Sequence, residues 1–268
     1  MTRTIGFIGG GQMAEAIIKG LVQTGKVAAQ QIAVAEPVAS RRDHLASLYH
    51  VGTAARLPDI VSGAEVMILA VKPQVMGNVL ADLAGCYSGQ LLITIAAGLP
   101  ISFYTGQLGD TVPLVRVMPN MGALILEGAS ALCRNARVSD DDFKYAQELF
   151  GAIGTTVAVE EPLMDAVTGL SGSGPAFVFT FIEALIDGGV KTGLSRQVAR
   201  DLAVQTVYGA AACMKQSDAH PAVLRDRVTS PGGTTASGLQ ILDCSGFKGT
   251  IIEAVEAACN RSRELGEK

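Results

Sequence analysis

Gly9, Gly11 and Ala14 stand at the spacing Gly-x-Gly-x-x-Gly/Ala, which can bind the pyrophosphate of a dinucleotide. Gly9 permits a tight turn, Gly11 lets the backbone approach the phosphates, and Ala14 allows a helix to pack closely on a sheet. The start of the helix adds free N–H groups and the positive end of its dipole. Because the pattern lies between a strand-like run and a helical run, it predicts a cofactor site rather than a structural turn. The pattern lies within Ile8-Gly9-Gly10-Gly11-Gln12-Met13-Ala14, which follows the first predicted strand and opens the first predicted helix.

Charged residues that follow the second predicted strand bear on the choice of cofactor. Glu36 ends that strand 22 residues after Ala14 (36 − 14), where an acidic side chain can bind the ribose 2′-hydroxyl and repel a 2′-phosphate. Arg41 and Arg42 follow closely and could reach a 2′-phosphate if the loop bends, or could form a solvated helix face. The sequence leaves the choice between NADH and NADPH open, and the charge of Glu36 favours NADH.

The segment Ala70-Val71-Lys72-Pro73 ends another predicted strand. Ligands of open α/β sheets bind at the carboxyl ends of the strands. Pro73 can begin a helix there, and Lys72 can contact phosphate or ribose oxygens. An isolated lysine before a helix can also be an ordinary surface residue, but its place at the ligand edge favours cofactor contact.

A second candidate site is the run Ser230-Pro-Gly-Gly-Thr-Thr235, which precedes an apolar helical stretch. Its glycines and threonines concentrate backbone and hydroxyl donors at a helix N-terminus, an arrangement suited to a carboxylate. The alternative is that Thr234 only caps the helix. The spacing alone leaves these two interpretations equal.

The order of the predicted elements indicates an α/β protein. Short apolar runs alternate with helical patterns up to about residue 160, which predicts βαβ units and a Rossmann-type, doubly wound parallel sheet. After Glu161 alanine-rich helical periodicity continues almost to the end. We therefore predict a dinucleotide-binding Rossmann domain over residues 1–160 and an all-helical substrate-binding and dimerisation domain over residues 161–268. Strands are predicted over 4–9, 32–36, 65–70, 91–96, 112–117 and 155–160, and helices over 12–24, 41–49, 73–83, 140–151, 164–189, 195–216, 221–228, 234–245 and 247–265.

The composition restricts which partners and which cellular compartment are expected for the protein. Only 17% of the 268 residues are charged and 49% are hydrophobic, so we expect a homodimer or a higher homo-oligomer built from dimers. A net charge of −4 and scattered basic residues argue against nucleic acid, and the uninterrupted apolar runs are shorter than the ~20 residues of a membrane span. The N-terminal residues lack a secretory pattern, so we expect a cytoplasmic protein with no membrane partner. The five cysteines and three histidines show no metal-ligand spacing, and no metal is predicted.

The sequence resembles the Δ1-pyrroline-5-carboxylate reductases over nearly its whole length. The Gly-Ser-Gly-Pro-Ala and Ser-Pro-Gly-Gly-x-Thr elements are specific in combination. The motifs that carry the resemblance are 6–13, 70–73, 116–120, 169–177, 220–221, 230–235 and 246–247. This family performs the last step of proline biosynthesis. The resemblance therefore implies hydride transfer from NAD(P)H to the C=N bond of a cyclic imino acid, which yields L-proline.

The resemblance also implies roles for individual residues. Ile8 to Met13 and Ala70 to Pro73 would hold the cofactor. The backbone N–H groups of Thr234 and Thr235 would bind the substrate carboxylate, and the Thr235 hydroxyl would act as the catalytic group by bonding the ring nitrogen. Glu161 matches a substrate-side acid, although it could instead complement a helix dipole. The implied substrate-binding set is Glu161, Ser230, Gly233, Thr234 and Thr235.

Three positions depart from the family pattern. Arg227 stands where asparagine is common, Leu57 where some relatives have an asparagine near the adenosine, and Glu36 where a small polar residue is usual. They put the usual NADPH preference in doubt. A β-hydroxyacid dehydrogenase shares the domain plan but needs a lysine early on the long helix, and none occurs there before Lys191. A non-catalytic nucleotide sensor is disfavoured because the substrate loop and the cofactor motif are both intact.

Overall fold

A computed structural model of the chain describes residues 3–266, which form two compact units. The first comprises the residues up to Ser173 together with those from Ala257 onward, and the second is Gly174–Glu256. Residues 1, 2, 267 and 268, at the ends of the two predicted domains, lie outside the described residues. The prediction that function divides at residue 160 stays a prediction.

The first unit is built on an eight-stranded sheet of order β3-β2-β1-β4-β5-β6-β7-β8. Strands β1 to β6 are parallel, β7 is antiparallel to β6, and β8 is parallel to β7. The strand order runs outward in both directions from β1, so the doubly wound Rossmann prediction is confirmed. The strands are β1 Ile5–Ile8, β2 Ile32–Ala35, β3 Gly52–Ala54, β4 Val66–Leu69, β5 Leu91–Thr94, β6 Leu114–Met118, β7 Gly128–Arg134 and β8 Gly154–Ala158.

Helices on both faces of this sheet bury its side chains. Phe7 of β1 packs in a core with Ile17, whereas the next residue, Ile8, packs in a second core with Leu80. This burial on both faces is expected of a central parallel strand. The helices of this unit are α1 Gln12–Gln23, α2 Ala39–Tyr49, α3 Pro58–Val61, α4 Pro73–Ala84, α5 Ile101–Leu108, α6 Asp140–Gly151 and α7 Met164–Val167.

Local sequence accounts for where the main helices begin. Helix α1 places Ala14, Ile17, Ile18 and Leu21 at the i, i+3, i+4, i+7 spacing of one apolar face, and all four are buried. Helix α4 begins with a proline, whose fixed φ suits the first helical position. Helix α6 begins after Ser139, whose hydroxyl accepts the N–H of the third helical residue.

Strands β3 and β7 and helix α5 were not predicted from the apolar pattern. Strand β3 has only three residues, and β7 reads Gly-Ala-Ser-Ala-Leu-Cys-Arg, with few residues of high strand propensity. The expectation of a fully parallel sheet is wrong at β7. Residues 119–127, which join β6 to β7, are fewer than the dozen or more that a parallel crossover needs, so the chain turns back antiparallel.

The second unit is helical, as predicted. Its helices are α8 Gly174–Lys191, α9 Arg196–Lys215, α10 Pro221–Arg227, α11 Thr234–Cys244 and the first half of α12 Phe247–Gly266. Helices α8 and α9 approach closely at Gly189, where an added Cβ would lie only 2.9 Å from the Cβ of Ala199. The rings of Phe181 and Phe247 lie 5.9 Å apart, centroid to centroid.

One helical stretch, residues 161–191, could cross a membrane by length and composition alone. Only 6% of its most apolar window is buried within the chain. Glycine, serine and threonine interrupt its apolar runs, so short runs in the sequence did not reveal it. An exposed apolar surface of this length is typical of an interaction site.

Candidate active site

The turn between β1 and α1 has the backbone that a dinucleotide pyrophosphate requires. Gly9 has a φ of +96°, and a Cβ there would lie 2.8 Å from the carbonyl oxygen of Ala70. Gly11 is the N-cap of α1 and is exposed, and a Cβ added to it would meet nothing within 4 Å. The turn therefore leaves open space at the helix N-terminus, where free N–H groups and the helix dipole favour an anion. These residues fit the phosphates of NAD(P)H.

The Glu36 carboxylate lies directly against this glycine turn. Its Oε2 accepts a hydrogen bond from the Gly10 N–H at 2.8 Å, and its Oε1 accepts one from the Val38 N–H at 3.0 Å. A Cβ on Gly10 would lie 2.8 Å from Leu45 Cδ1 and 3.4 Å from Glu36 Cβ. A side chain at this position would therefore press on Leu45 and would just touch Glu36.

The segment after β4 lies beside the same turn. The Ala70 N–H donates to the Ile8 carbonyl at 2.8 Å, which continues the pairing of β4 with β1. Lys72 is the exposed N-cap of α4, and Pro73 is its first residue. Since the strand order reverses between β1 and β4, this is the edge where α/β proteins bind ligands. The structure thus brings together the predicted cofactor residues, which are Ile8–Met13, Glu36 and Ala70–Pro73.

Arg41 connects the glycine turn to a carboxylate on α1. Its Nε donates to the Gly10 carbonyl, and its Nη2 donates to the Gly11 carbonyl at 3.3 Å and to the Glu15 carboxylate. The alternative of a solvated helix face is wrong for this arginine, because its guanidinium turns back onto the cofactor turn. The guanidinium charge is neutralised by Glu15.

Arg42 is bonded to the chain just after β2. Its Nη1 donates to the carbonyl oxygens of Glu36 at 2.7 Å and Pro37 at 2.8 Å. Arg42 is partly exposed, so neither the solvated helix face nor contact with a 2′-phosphate is excluded for it. Arg42 holds the backbone of the loop that carries Glu36.

Glu15 is a partly buried acidic residue of α1 that the sequence analysis did not single out. Its Oε1 lies 2.9 Å from His44 Nε2 and accepts the Tyr49 hydroxyl at 3.0 Å, while its Oε2 accepts from Arg41. Burial acts to raise the pKa of Glu15, but the hydrogen bonds from these three partners outweigh it and the pKa is lowered. Burial, together with the bond to Glu15, raises the pKa of Tyr49 to about 12.

Glu161 is engaged within the first unit. Its Oε1 accepts the N–H of Ile101, the first residue of α5, at 2.6 Å and lies 3.4 Å from Arg116 Nη1. The Arg116 side chain is only 6% exposed, so the carboxylate neutralises a nearly buried charge. The carboxylate therefore complements the helix dipole of α5, whereas the sequence analysis offered the helix that follows Glu161. A role for Glu161 in substrate binding stays a prediction.

The run from Ser230 to Thr235 forms a tight turn into α11. The Gly233 N–H donates to the Ser230 carbonyl at 3.0 Å, and Gly232 has a φ of +63°, which with Pro231 before it is the pattern of a type II turn. Gly233 is the N-cap of α11, and a Cβ there would lie 2.2 Å from Ser230 Oγ. The capping alternative for Thr234 is wrong, because Thr234 is already the first residue of the helix.

Two threonines open helix α11, and their N–H groups lack acceptors within the helix because they lie in its first turn. Thr234 is exposed and Thr235 is half-buried. A glycine N-cap offers no side chain to occupy these donors, so they suit a small carboxylate. Four of the predicted substrate residues, Ser230, Gly233, Thr234 and Thr235, lie in the second unit, and Glu161 lies in the first. Their contact with a substrate stays a prediction.

Two of the positions that depart from the family pattern lie in different surroundings. Leu57 is 9% exposed and packs in the apolar core beside α3, so an apolar residue suits its place. Arg227 is the exposed last residue of α10.

Asn120 links two of the motifs that carry the family resemblance. Its Oδ1 accepts the N–H groups of Gly122 and Ala129, and its Nδ2 donates to Ser171 Oγ at 3.3 Å. Ser171 lies in a π-helical turn over Thr168–Gly172, and such turns are frequent at functional sites. The two motifs were visible in the sequence, but a contact across 51 residues was not.

A doubly wound sheet with a glycine turn and an acidic β2 end at its ligand edge is typical of nicotinamide-dependent oxidoreductases. The fold and the glycine turn therefore define the class of nicotinamide-dependent oxidoreductases. That the donors at the start of α11 bind a small acid stays a prediction.

Comparison with known proteins narrows this class. The family described as pyrroline-5-carboxylate reductase dimerisation matches residues 161–265, and the one described as NADP oxidoreductase, coenzyme F420-dependent, matches residues 4–98. A pyrroline-5-carboxylate reductase from Synechocystis is 46% identical and covers 100% of both chains. A pyrroline-5-carboxylate reductase structure from Coxiella burnetii has a TM-score of 0.95 at 33% identity and 100% coverage of both chains. A Plasmodium falciparum structure with NADP bound has a TM-score of 0.89 at 35% identity and 98% coverage of both chains.

The chain belongs to the pyrroline-5-carboxylate reductase family, as its motifs implied. It is an NAD(P)H-dependent reductase of the family that performs the last step of proline biosynthesis. Its helical region is the dimerisation domain of that family, so the chain associates with itself. The predicted fold class, enzyme class and cofactor are confirmed.

Proposed function

We propose that this chain reduces L-Δ1-pyrroline-5-carboxylate to L-proline. The ring nitrogen takes up one proton, and NAD(P)H supplies the hydride that adds to the carbon of the C=N bond. The imine thereby becomes the secondary amine of proline, and one proton is consumed with each hydride. Full-length similarity to reductases of this name, with the Ser230–Thr235 turn retained at the start of α11, carries this proposal.

The two parts of the chain divide this work. Residues 1–160 form the dinucleotide-binding domain, and the open space at Gly11 beside the α1 N-terminus supports this role. Residues 161–268 form the substrate-binding and dimerisation domain. The match of the dimerisation family from residue 161 onward supports this second assignment.

The substrate carboxylate binds the N–H groups at the start of α11. Thr234 and Thr235 donate from the backbone, while Ser230 and Gly233 shape the turn that exposes these donors. The Thr235 hydroxyl bonds the ring nitrogen and orients the imine. A threonine hydroxyl is a poor acid at neutral pH, so Thr235 positions the nitrogen rather than supplying its proton. Holding the imine in one orientation in a dry site accounts for much of the expected rate.

A second copy of the chain covers the apolar helices of the second unit. Large apolar side chains are exposed there, including Phe179, Leu202, Tyr208, Ile241 and Ile252, at 54%, 56%, 66%, 66% and 65%. Self-association also accounts for the exposed stretch 161–191 without a membrane. The protein is then a cytoplasmic homodimer, or a higher homo-oligomer of dimers, with no nucleic-acid partner.

The loss of reduced-nicotinamide absorbance tests this function. We expect rapid oxidation that requires both the protein and pyrroline-5-carboxylate, and proline as the product. A six-membered cyclic imino acid is a useful comparison, since one methylene changes binding by only ~1–3 kcal/mol in an apolar pocket. If the folded protein binds nucleotide but oxidises none with the five-membered imine, the assigned substrate is wrong.

A further inference from the structure

We infer that this reductase binds NADH in preference to NADPH, because Glu36 holds a fixed negative charge where the 2′-phosphate of NADPH would lie. The inference rests on the proposed cofactor site and adds a choice of cofactor to it. It sets this chain apart from the similar Plasmodium falciparum reductase, which was solved with NADP bound.

The position of Glu36 follows from the pairing of β2 with β1. Ala35 pairs with Ile8, and the Gly9 N–H donates to the Ala35 carbonyl at 2.8 Å, so Glu36 begins the loop right beside the glycine turn. In Rossmann domains the acidic residue at this end of β2 binds the ribose 2′-hydroxyl of NAD. A phosphate on that hydroxyl would stand next to the carboxylate.

The carboxylate is held in place at both oxygens. One accepts the N–H of Gly10, within the pyrophosphate turn itself, and the other accepts the N–H of Val38. To move away from a phosphate, the side chain would have to give up both bonds. A carboxylate has about four acceptor positions, so Glu36 can still accept from a ribose hydroxyl. It has no donor to offer a phosphate.

The two neighbouring arginines, Arg41 and Arg42, are already engaged in hydrogen bonds within the protein. Arg41 is paired with Glu15 and bonded to two carbonyl oxygens of the glycine turn. Arg42 donates from Nη1 to the carbonyl oxygens of Glu36 and Pro37, which holds its guanidinium against the backbone of this loop. The proline also limits how far the loop can bend, because its φ is fixed. The net effect of this arrangement favours the cofactor without the 2′-phosphate.

Calorimetric titration with ADP-ribose and with its 2′-phosphate tests the inference on the intact protein. These compounds carry the adenosine half of NADH and of NADPH. We expect ADP-ribose to bind at least about tenfold more tightly, because like charges this close repel. The ratio should shrink as salt is added, since salt screens part-exposed charges.

Substitution of Glu36 tests whether this side chain causes the difference in affinity between ADP-ribose and its 2′-phosphate. Glu36→Gln keeps the size and removes the charge, so the two dissociation constants should come within about threefold of each other. The matched control is Asp43→Asn, which removes the same charge from an exposed residue of α2 and should keep the original ratio. Thermal melting of each variant checks that it is folded.

Two results would overturn the inference and leave the cofactor site in place. One is a 2′-phosphate that binds the unchanged protein as tightly as ADP-ribose or more tightly, and the other is an unchanged ratio in Glu36→Gln. Neither compound contains nicotinamide, so the answer does not depend on whether the imine is reduced. Failure of both compounds to bind would overturn the cofactor site and the inference together.

Discussion

The carboxylate of Glu161 accepts a hydrogen bond from the backbone N–H of Ile101 at 2.6 Å, across 60 residues of chain. The same oxygen lies 3.4 Å from the Nη1 of Arg116, whose side chain is nearly buried. One carboxylate therefore accepts from the first turn of α5 and also pairs with a cation in the middle of the inner strand β6. This relationship gives Glu161 a structural role at α5, a helix that precedes it in the sequence, rather than at the helix that follows it.

We expect Glu161→Ala to lower the free energy of unfolding by about 1–3 kcal/mol, because it leaves a buried cation and a helix N–H without their acceptor. Urea denaturation measures this loss. The control is Glu160→Ala, which removes an exposed carboxylate one residue earlier and should change stability little. An unchanged unfolding curve combined with a raised KM for the imine would instead support the substrate role.

Gly11→Ala separates cofactor binding from folding. A Cβ at this position meets nothing within 4 Å and the backbone is extended, with φ −66° and ψ −179°, so the melting temperature should not change. The methyl group enters the space assigned to the pyrophosphate, and the dissociation constant of NAD(P)H should rise roughly tenfold, which is about 1.4 kcal/mol. Gly106→Ala, also in open space but on α5, should leave nucleotide binding as it was. Fluorescence titration of bound NAD(P)H measures both, and unaltered affinity in Gly11→Ala would contradict the assigned site.

Thr235→Ala should lower turnover while leaving the fold intact. A hydrogen bond to a charged group is worth about 1.5–3 kcal/mol, so we expect kcat to fall roughly 10- to 100-fold. Thr235→Ser keeps the hydroxyl and should recover most of the rate. Thr234→Ala is the matched control, because only its backbone is assigned to the substrate and its side chain is exposed. Steady-state kinetics that do not change in Thr235→Ala would remove this residue from the site.

Leu202→Asp should weaken self-association through the helical unit. Leu202 is 56% exposed on α9, and burying a carboxylate in an apolar interface without a partner is costly. Light scattering after gel filtration should therefore show a smaller species than for the unchanged protein. Leu48→Asp makes the same change at a 55% exposed leucine of α2, in the first unit, and should leave the mass unchanged. Equal masses for all three proteins would place the interface elsewhere.

The lowered pKa of Glu15 predicts a pH dependence of stability. Its ordinary pKa is 4.5, and its folded-state pKa lies lower because His44, Arg41 and Tyr49 hydrogen-bond the ionised form more than burial disfavours it. Ionised Glu15 therefore stabilises the fold above pH 4.5, and this contribution is lost as the pH falls through the folded-state pKa. At neutral pH, Glu15→Gln should be less stable by about 1–2 kcal/mol. Urea denaturation from neutral pH down to about pH 3 should show the gap closing, and a constant gap would contradict the assignment.

Local patterns in the sequence predicted much of the fold and the outline of the site. The glycine spacing at Gly9 and Gly11 and the turn before Thr234 depend on the backbone freedom of a few consecutive residues, so they can be recognised without the rest of the chain. The alternation of strands and helices follows from apolar periodicity over a dozen residues. Strand β7 escaped this kind of prediction because its small residues become a strand through pairing with β6 and β8.

The sequence alone was enough for the family, the two kinds of ligand and the residues that line the glycine turn, because these depend on short-range spacing. Only the tertiary structure showed that Arg41 hydrogen-bonds the glycine turn and pairs with Glu15. It also showed that Glu161 accepts from the first N–H of α5 and pairs with Arg116. These contacts join residues 26 and 60 positions apart, and no local spacing encodes them. Their geometry is set by how the strands pair within the sheet and how the helices pack on its faces. For the same reason the charge of Glu36 could be read from the sequence, whereas its fixed position against Gly10 could not.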